Sequence, residues 1–290
     1  MEEFNSSYYS NETYCNYADY SIIHGCLNGK IGFIMYVVTW IVLCVGLPLI
    51  FMAIVAVYFL VRKGHIAPIY VLNLFISDLI QLSCMIVWVS DNKASMVYDV
   101  FDCIYIFGVM VSTGFMVCVS LERYLVIAHP LWYRYRRTVK APALVCIVVW
   151  VLPLVYVLPL YFQVDFHIRE TIYAILCLLP LPLFMFFLVG TLRALSSARS
   201  VPSDEKRRIV AILVVVLLIY TMLFLPSIIW SLTDGTKANC IFSCGTIILL
   251  QLSPLADLTM YVFIRKGVID NLLSSLCCDR MDSDADTQHE

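Results

Sequence analysis

Long runs of apolar residues alternate with short polar segments along the whole of this 290-residue chain. Each run is long enough for a helix of about 20 residues, the length that crosses a bilayer core of about 30 Å. The runs lack the alternating pattern of a transmembrane β-barrel, and a helix is the other way to satisfy the backbone in lipid. We therefore predict seven transmembrane helices, near 31–61, 67–90, 98–129, 140–161, 167–195, 207–232 and 240–264.

Basic residues are distributed unevenly between the loops, and this predicts the orientation of the chain. The loops after the first, third, fifth and seventh runs carry most of the lysines and arginines, among them Arg134, Arg136 and Arg137 after the third run. The loops on the other side carry far fewer. Because basic loops stay in the cytoplasm, we predict an extracellular N-terminus and a cytoplasmic C-terminus.

Polar segments at both ends frame a single membrane domain. The tail at the start is rich in Tyr and Asn, and the tail at the end is acidic, a composition that favours disorder. We divide the chain into an extracellular tail (1–30), a seven-transmembrane domain (31–264), a short amphipathic cytoplasmic helix (265–278) and a disordered tail (279–290).

Two kinds of modification motif agree with this orientation. Asn5 and Asn11 begin glycosylation sequons in the first tail, which fits an extracellular position. Cys277 and Cys278 lie just beyond the seventh run, where cytoplasmic palmitoylation is common. We predict a glycosylated and palmitoylated chain.

The composition is that of an integral membrane protein. Apolar residues make up 61% of the chain and charged residues 14%, whereas a soluble domain has about one half and about one quarter. The net charge of −2 favours no class of partner. We expect an all-α, multi-pass membrane protein that contacts lipids and no nucleic acid.

Two carboxylates interrupt the apolar runs. Asp78 lies in the middle of the second run and Asp257 in the middle of the seventh. An intramembrane carboxylate indicates a functional site, although a protonated Asp bonded to a backbone carbonyl is the alternative. With Ser112 and Ser253, the two residues could form a polar cluster inside the bundle that binds a sodium ion or shares a proton.

A charged pair ends the third run. Glu122 can hold the flexible side chain of Arg123 at the cytoplasmic rim, and Arg123 can also swing inward, which gives the two positions that a switch needs. A snorkelling Arg at a helix end is the alternative interpretation.

Several motifs now occur in a fixed order along the chain: Asn73 with Asp78, Glu122-Arg123-Tyr124, Pro130-Leu131, Trp150, Pro180, Pro226 and Asp257 with Tyr261. Together they resemble the rhodopsin-like (class A) G-protein-coupled receptors over about 31–278. Within that family the chain resembles the branch of Mas-related, proton-sensing and purinergic-type receptors.

The resemblance implies a function. Receptors of this family turn the binding of an extracellular ligand, here a peptide, lipid or small molecule, into activation of a heterotrimeric G protein. In the family, the Arg that matches Arg123 holds the inactive state and then meets the G protein. The residues expected in this switch and its docking loop are Glu122, Arg123, Tyr124, Leu131 and Tyr261.

Departures from the family pattern leave an alternative open. Ile50 stands in place of the usual Asn, Phe224 in place of Trp, Leu188 in place of Tyr and Leu258 in place of Pro. The activation network therefore lacks several polar members. A non-signalling decoy receptor remains an alternative.

The cysteines also depart from the family. Tyr98 stands where the third span usually carries a Cys, and the segment from Leu158 to Thr171 has none. A bridge from Cys15 or Cys26 to Cys240 or Cys244 could pin the tail over the seventh span instead. Sequence alone does not fix the connectivity.

Candidate ligand-binding residues come from inward positions near the outer half of three spans. Tyr105 stands where amine receptors carry an Asp, which argues against a classical amine ligand. An acidic rim that includes Asp102, Glu170 and Asp234 favours cationic ligands such as basic peptides. The candidates are Asp102, Tyr105, Ile106, Val109, Phe224, Ser227, Ile228, Ser231, Asp234, Ser243, Ile247 and Gln251.

We find no sequence motif of an enzyme, and no cofactor is expected beyond the sodium ion. A retinal pigment is excluded because residues 238–264 contain no Lys for a Schiff base. A seven-helix transporter or proton channel, with Asp78 and Asp257 as a relay, is the alternative from another class.

Overall fold

The computed structural model describes residues 30–62, 68–90, 95–129, 140–161, 166–197, 203–233 and 239–262. All regular structure within these ranges is helical. Several predicted features lie outside them: the two tails, the cytoplasmic helix and the residues Asn5, Asn11, Cys15, Cys26, Leu131, Asp234, Cys277 and Cys278.

Within the described residues, ten helices make up the seven predicted spans. Spans one, two, three and six are single helices, and spans four, five and seven are each a pair of helices. In chain order the helices are α1 (Lys30–Arg62), α2 (Pro68–Val89), α3 (Ser95–Ala128), α4 (Lys140–Val151), α5 (Leu154–Tyr161), α6 (Phe166–Leu178), α7 (Pro180–Ser197), α8 (Ser203–Leu232), α9 (Cys240–Gln251) and α10 (Ser253–Val262).

Proline explains where three of the spans are interrupted. Pro153 lies between α4 and α5, Pro180 is the first residue of α7, and Pro254 is the second residue of α10. Proline has no backbone N–H and clashes with the preceding turn, so it is tolerated in the first turn of a helix and kinks or breaks a helix when it lies further inside. At the last break, α9 and α10 meet at an angle of 40° around Leu252.

The bundle is organised around α3. This helix contacts α2, α4, α5, α7 and α8, and a contact between α9 and α1 closes the ring. The core consists of apolar side chains such as Phe75, Phe115 and Tyr220, which are fully buried. The outer surface is also apolar and exposes Phe33, Phe51 and other large side chains, as a helix bundle requires where it faces lipid.

In the described part of the chain, six helical segments are long and apolar enough to cross a membrane, and the bent pair α9–α10 makes a seventh. This confirms the prediction of a seven-helix, multi-pass membrane protein.

Because consecutive spans run in opposite directions, the bundle has two ends. We call the end where α1 begins and α8 finishes the upper end, and the end where α1 and α3 finish the lower end.

A hydrogen bond ties span four to span two. Trp150 Nε1 donates to Asn73 Oδ1 at 3.1 Å, and the Asn73 amide donates to the backbone oxygen of Ile69 at 2.9 Å. Both side chains belong to the motifs that were identified from the sequence, and the structure brings them together.

Candidate functional site

Two buried carboxyl groups meet in the middle of the bundle. Asp78 on α2 and Asp257 on α10 are both fully buried, and their carboxyl groups are close enough to interact electrostatically. Gln81, one turn further along α2, donates from Nε2 to Asp78 Oδ1 at 3.2 Å. Asp78 and Asp257, which the sequence places in different spans, are therefore neighbours in the bundle interior.

Several oxygen atoms around this pair have no hydrogen-bond partner within the described part of the chain. They are Asp78 Oδ2, both carboxyl oxygens of Asp257, Ser253 Oγ and the Gln81 oxygen Oε1. Ser253 precedes Asp257 by four residues, which places both on one face of α10. Ser112 is also buried, but its hydroxyl donates to the backbone oxygen of Val109 at 2.9 Å.

The chemistry of this oxygen set requires a positive charge. Two ionised carboxylates side by side in a low-dielectric interior repel each other and have lost the water that would solvate them. One proton shared between them, or one hard cation held by carboxylate, hydroxyl and amide oxygens, removes this cost. The unpartnered oxygens therefore fit the sodium ion or the shared proton that the sequence predicts.

A second polar cluster lies at the upper end, between spans five and six. Glu170 on α6 is 8% exposed. The hydroxyl oxygen of Ser231 on α8 lies 2.9 Å from the Glu170 backbone oxygen and is also within hydrogen-bonding distance of its carboxyl group. One turn lower, Tyr173 donates to Ser227 at 3.2 Å. Glu170 was predicted as one of the rim acids, yet it is buried between two helices.

Most of the predicted ligand-binding residues line the interior of the upper half. The buried members are Tyr105, Val109, Phe224, Ser227, Ile228, Ser231, Ser243 and Gln251. Ile106 and Ile247 are half-buried and Asp102 is exposed.

Hydrogen bonds and ring contacts join several of these residues to neighbouring spans. Trp230 Nε1 donates to Ser243 Oγ at 2.8 Å, which links spans six and seven. Thr39 donates to Gln251 Oε1 at 3.2 Å, which links spans one and seven. The ring of Tyr105 packs against Trp88, with ring centroids 4.6 Å apart.

A groove of about 380 Å³ lies elsewhere, between α1 and α2. Its lining includes Trp40, Leu43 and Ile86 and is almost wholly apolar. It contains none of the predicted ligand-binding residues, so the ligand site is not assigned to it.

The predicted switch lies at the lower end of α3. Glu122 is buried, and Arg123 is half-buried with an Nε that makes no hydrogen bond within the described residues. Tyr124 stacks on Phe187 of α7 with ring centroids 5.8 Å apart. Gly190 of α7 has no side chain, and this allows span five to approach Tyr124 closely. A Cβ atom at this position would lie only 2.6 Å from the Tyr124 ring.

Tyr261 of α10 belongs to the same predicted switch. Its ring packs edge-on against Phe75 of α2, with centroids 5.2 Å apart, and its buried hydroxyl has no partner within the described chain. The lower end therefore holds Tyr261 by ring packing and leaves its hydroxyl available for another partner.

Cys240, at the start of α9, is disulfide-bonded. The other cysteines of the described residues, Cys244 among them, are thiols. The partner of Cys240 therefore lies outside the described residues. Of the two predicted positions on span seven, Cys240 is the one that is bridged.

Sequence reasoning missed two residues of these sites. Gln81 was not assigned to the carboxylate pair, although its spacing of three residues from Asp78 places it on the same helical face. Tyr173 was also not singled out, because one more Tyr in an apolar run carries no signal of its own.

These features agree with the comparisons with known proteins. Residues 51–256 match the family model of the seven-transmembrane receptors of the rhodopsin family. The chain belongs to this family. It is a G-protein-coupled receptor and not an enzyme.

Individual relatives are distant. The chain is 24% identical to G-protein coupled receptor 68 of Homo sapiens, over 82% of this chain and 77% of that receptor. It is 26% identical to proteinase-activated receptor 2 of Rattus norvegicus, over 87% and 74%. A shorter match to the type-1 angiotensin II receptor of Meleagris gallopavo, also 26% identical, covers 43% of this chain and 37% of that receptor.

The contact between Tyr124 and Gly190 generates a prediction. Gly190→Ala should displace the Tyr124 ring from Phe187, lower the thermal stability of the purified receptor by about 1–3 kcal/mol through overpacking, and change its basal nucleotide exchange on an added G protein. Gly245→Ala is the matched control, because no atom lies within 4 Å of the new Cβ there. Without a clash, Gly→Ala in a helix normally gains about 0.5–1 kcal/mol. Equal effects of the two changes would contradict this role for Gly190.

Proposed function

We propose that this protein is a plasma-membrane receptor for an extracellular ligand with a cationic group, and that Glu170 is the anchor for that group. The observation that carries the proposal is the burial of Glu170 between spans five and six, beside the hydroxyl group of Ser231. The basic residues concentrated at the lower end favour a cytoplasmic position for that end. The upper end, with Glu170, then faces the outside.

The surroundings of Glu170 suit a cation. Tyr156 of α5 lies close enough to the Glu170 carboxyl group to interact with it electrostatically, and its ring packs against Tyr173 at a centroid distance of 5.8 Å. Aromatic faces attract ammonium and guanidinium groups, and a desolvated carboxylate adds direct charge pairing. Arg169 lies in the same neighbourhood and is the positive group that an incoming ligand would compete with.

Signal transfer to the G protein is assigned to the lower end. Arg123 is half-buried beside Glu122, and Tyr124 joins span three to span five. A ligand that separates Glu170 from Ser231 acts on spans five and six, and α3 contacts both of these spans. This gives a continuous packed route from Glu170 to Arg123.

The central carboxylate pair is proposed to hold a sodium ion or a shared proton. Asp78, Ser253 and Asp257 supply the unpartnered oxygens, and Ser112 supplies a hydroxyl from α3. The proposal follows from the need for one positive charge between two buried carboxyl groups.

The tail is proposed to be tethered over the upper end by a disulfide from Cys15 or Cys26 to Cys240. The support is the disulfide at Cys240, whose partner is none of the other described cysteines. An extracellular position is oxidising, so cysteines there usually pair. We also propose glycosylation at Asn5 and Asn11 and palmitoylation at Cys277 and Cys278.

Ligand class is tested with matched peptides. A panel of basic peptides, each paired with a counterpart in which Lys is acetylated and Arg is replaced by citrulline, is applied to cells that express the receptor, and nucleotide exchange is measured. Glu170→Gln keeps the size and an acceptor for Ser231 but removes the charge. It should lower the potency of basic peptides about 10- to 100-fold, as expected for a hydrogen bond to a charged group worth about 1.5–3 kcal/mol.

The control for signalling is Arg123→Ala, which should abolish exchange with every active peptide at unchanged surface expression. Activation by the neutral counterparts, or unchanged potency in Glu170→Gln, would contradict the cationic ligand. Undiminished exchange in Arg123→Ala would remove Arg123 from the switch.

The tether is tested by peptide mapping of the non-reduced protein and by thermal unfolding. Cys240→Ser should lower stability by about 2–4 kcal/mol, because a long closed loop constrains the unfolded chain. Cys244→Ser is the control, since Cys244 is a buried thiol one turn further along α9. A map that links Cys240 to neither Cys15 nor Cys26 would rule the tether out.

A further inference from the structure

The side-chain amide of Gln81 has a hydrogen-bonded nitrogen and an oxygen without a hydrogen-bond partner among the described residues. Its amide nitrogen donates to Asp78 Oδ1 at 3.2 Å, while its oxygen Oε1 is buried and accepts no hydrogen bond from the described residues. The side chain is fully buried. A buried amide oxygen without a donor costs about 1–3 kcal/mol, so its retention beside a carboxylate pair calls for a partner.

Gly108 on α3 makes the space for this side chain. A Cβ atom at Gly108 would lie 2.9 Å from Gln81 Cγ and 3.4 Å from the backbone oxygen of Ser77. The close approach of α2 and α3 at this glycine holds the Gln81 stem in place. The freedom that remains to Gln81 is rotation of its terminal amide.

That rotation exchanges a donor for an acceptor. The last torsion of a Gln side chain is soft and roughly two-fold, so a half-turn replaces the N–H group that faces Asp78 by the oxygen. With the N–H inward, Gln81 stabilises an ionised Asp78. With the oxygen inward, it offers a neutral, hard ligand of the type that alkali and alkaline-earth cations prefer.

Tyr105 on α3 carries another buried hydroxyl near Asp78. It lies three residues before Gly108 and is close enough to Asp78 to interact with it electrostatically, yet its hydroxyl is also buried without a hydrogen-bond partner in the described chain. The Gln81 oxygen is therefore not satisfied by this hydroxyl. A cation in the carboxylate cluster would satisfy it.

We propose that Gln81 is a ligand of the sodium ion in the Asp78–Asp257 cluster and that rotation of its amide adapts the cluster to the presence or absence of the ion. This inference rests on the sodium site proposed above and adds a member from α2 to it. Gly108 is a positioning residue, because it holds the Gln81 stem against the cluster.

The test is thermal unfolding of the purified full-length receptor in detergent, titrated with NaCl at constant ionic strength against choline chloride. The wild type should be stabilised by sodium, and Asp78→Asn should lose the response. Gln81→Met keeps the length of the side chain without its oxygen and amide. It should raise the NaCl concentration for half of the effect at least tenfold.

Two further variants make the result specific. Gly108→Ala removes none of the proposed ligand groups but displaces the Gln81 side chain, so it should weaken the sodium response in the same direction. Ser83→Ala is the matched control, because Ser83 is an exposed residue of the same helix whose hydroxyl bonds to its own backbone at Leu79. Its response should equal that of the wild type.

The outcomes separate the two proposals. A wild-type receptor without a sodium response would overturn the sodium site, and the role of Gln81 with it. A wild-type response that is lost in Asp78→Asn but unchanged in both Gln81→Met and Gly108→Ala would leave the sodium site standing and overturn the inference about Gln81.

Discussion

Two carboxyl groups that meet in the middle of a lipid-embedded bundle impose a condition on the whole molecule. Asp78 and Asp257 are fully buried and within reach of each other, and both cannot stay ionised there without a positive charge. The 40° bend at Leu252 sets the direction of α10, the segment that brings Asp257 to α2. The association of spans two and seven therefore depends on the charge state of this pair, and a change in that state alters how the two spans pack.

A buried pair with two charge states is suited to a receptor, because a ligand acts by shifting a balance between conformations. The cluster lies between the two sites that need to communicate. Above it, Glu170 and Ser231 join spans five and six, and below it, Tyr124 and Phe187 join spans three and five. Span five is interrupted before Pro180, between these two contacts, and a proline is a common place for a helix to bend.

The spans were predictable from sequence because lipid demands long apolar helices, and the observed bounds lie within a few residues of the predicted ones at most ends. The interior positions of Asp78 and Asp257 followed from sequence too, since a carboxylate in an apolar run faces the bundle interior. The burial of Glu170 could not be predicted from sequence, because a carboxylate near the end of a span is equally compatible with a solvent-exposed rim. Gln81 was missed for a related reason. In a membrane helix the lipid-facing side is as apolar as the core, so hydrophobic periodicity does not show which face a neutral polar residue occupies.

The protonation state of the central pair is the quantity that tests this account most directly, and infrared difference spectroscopy of the purified receptor measures it through the stretching band of a protonated carboxyl group. Exchange of choline for sodium at constant pH should decrease the protonated band in the wild type, because the cation replaces the shared proton, and should leave Asp78→Asn with no such sodium-dependent change. A wild-type spectrum that shows neither a protonated carboxyl group nor any response to sodium would contradict the account, because the pair would then have no positive charge to stabilise it.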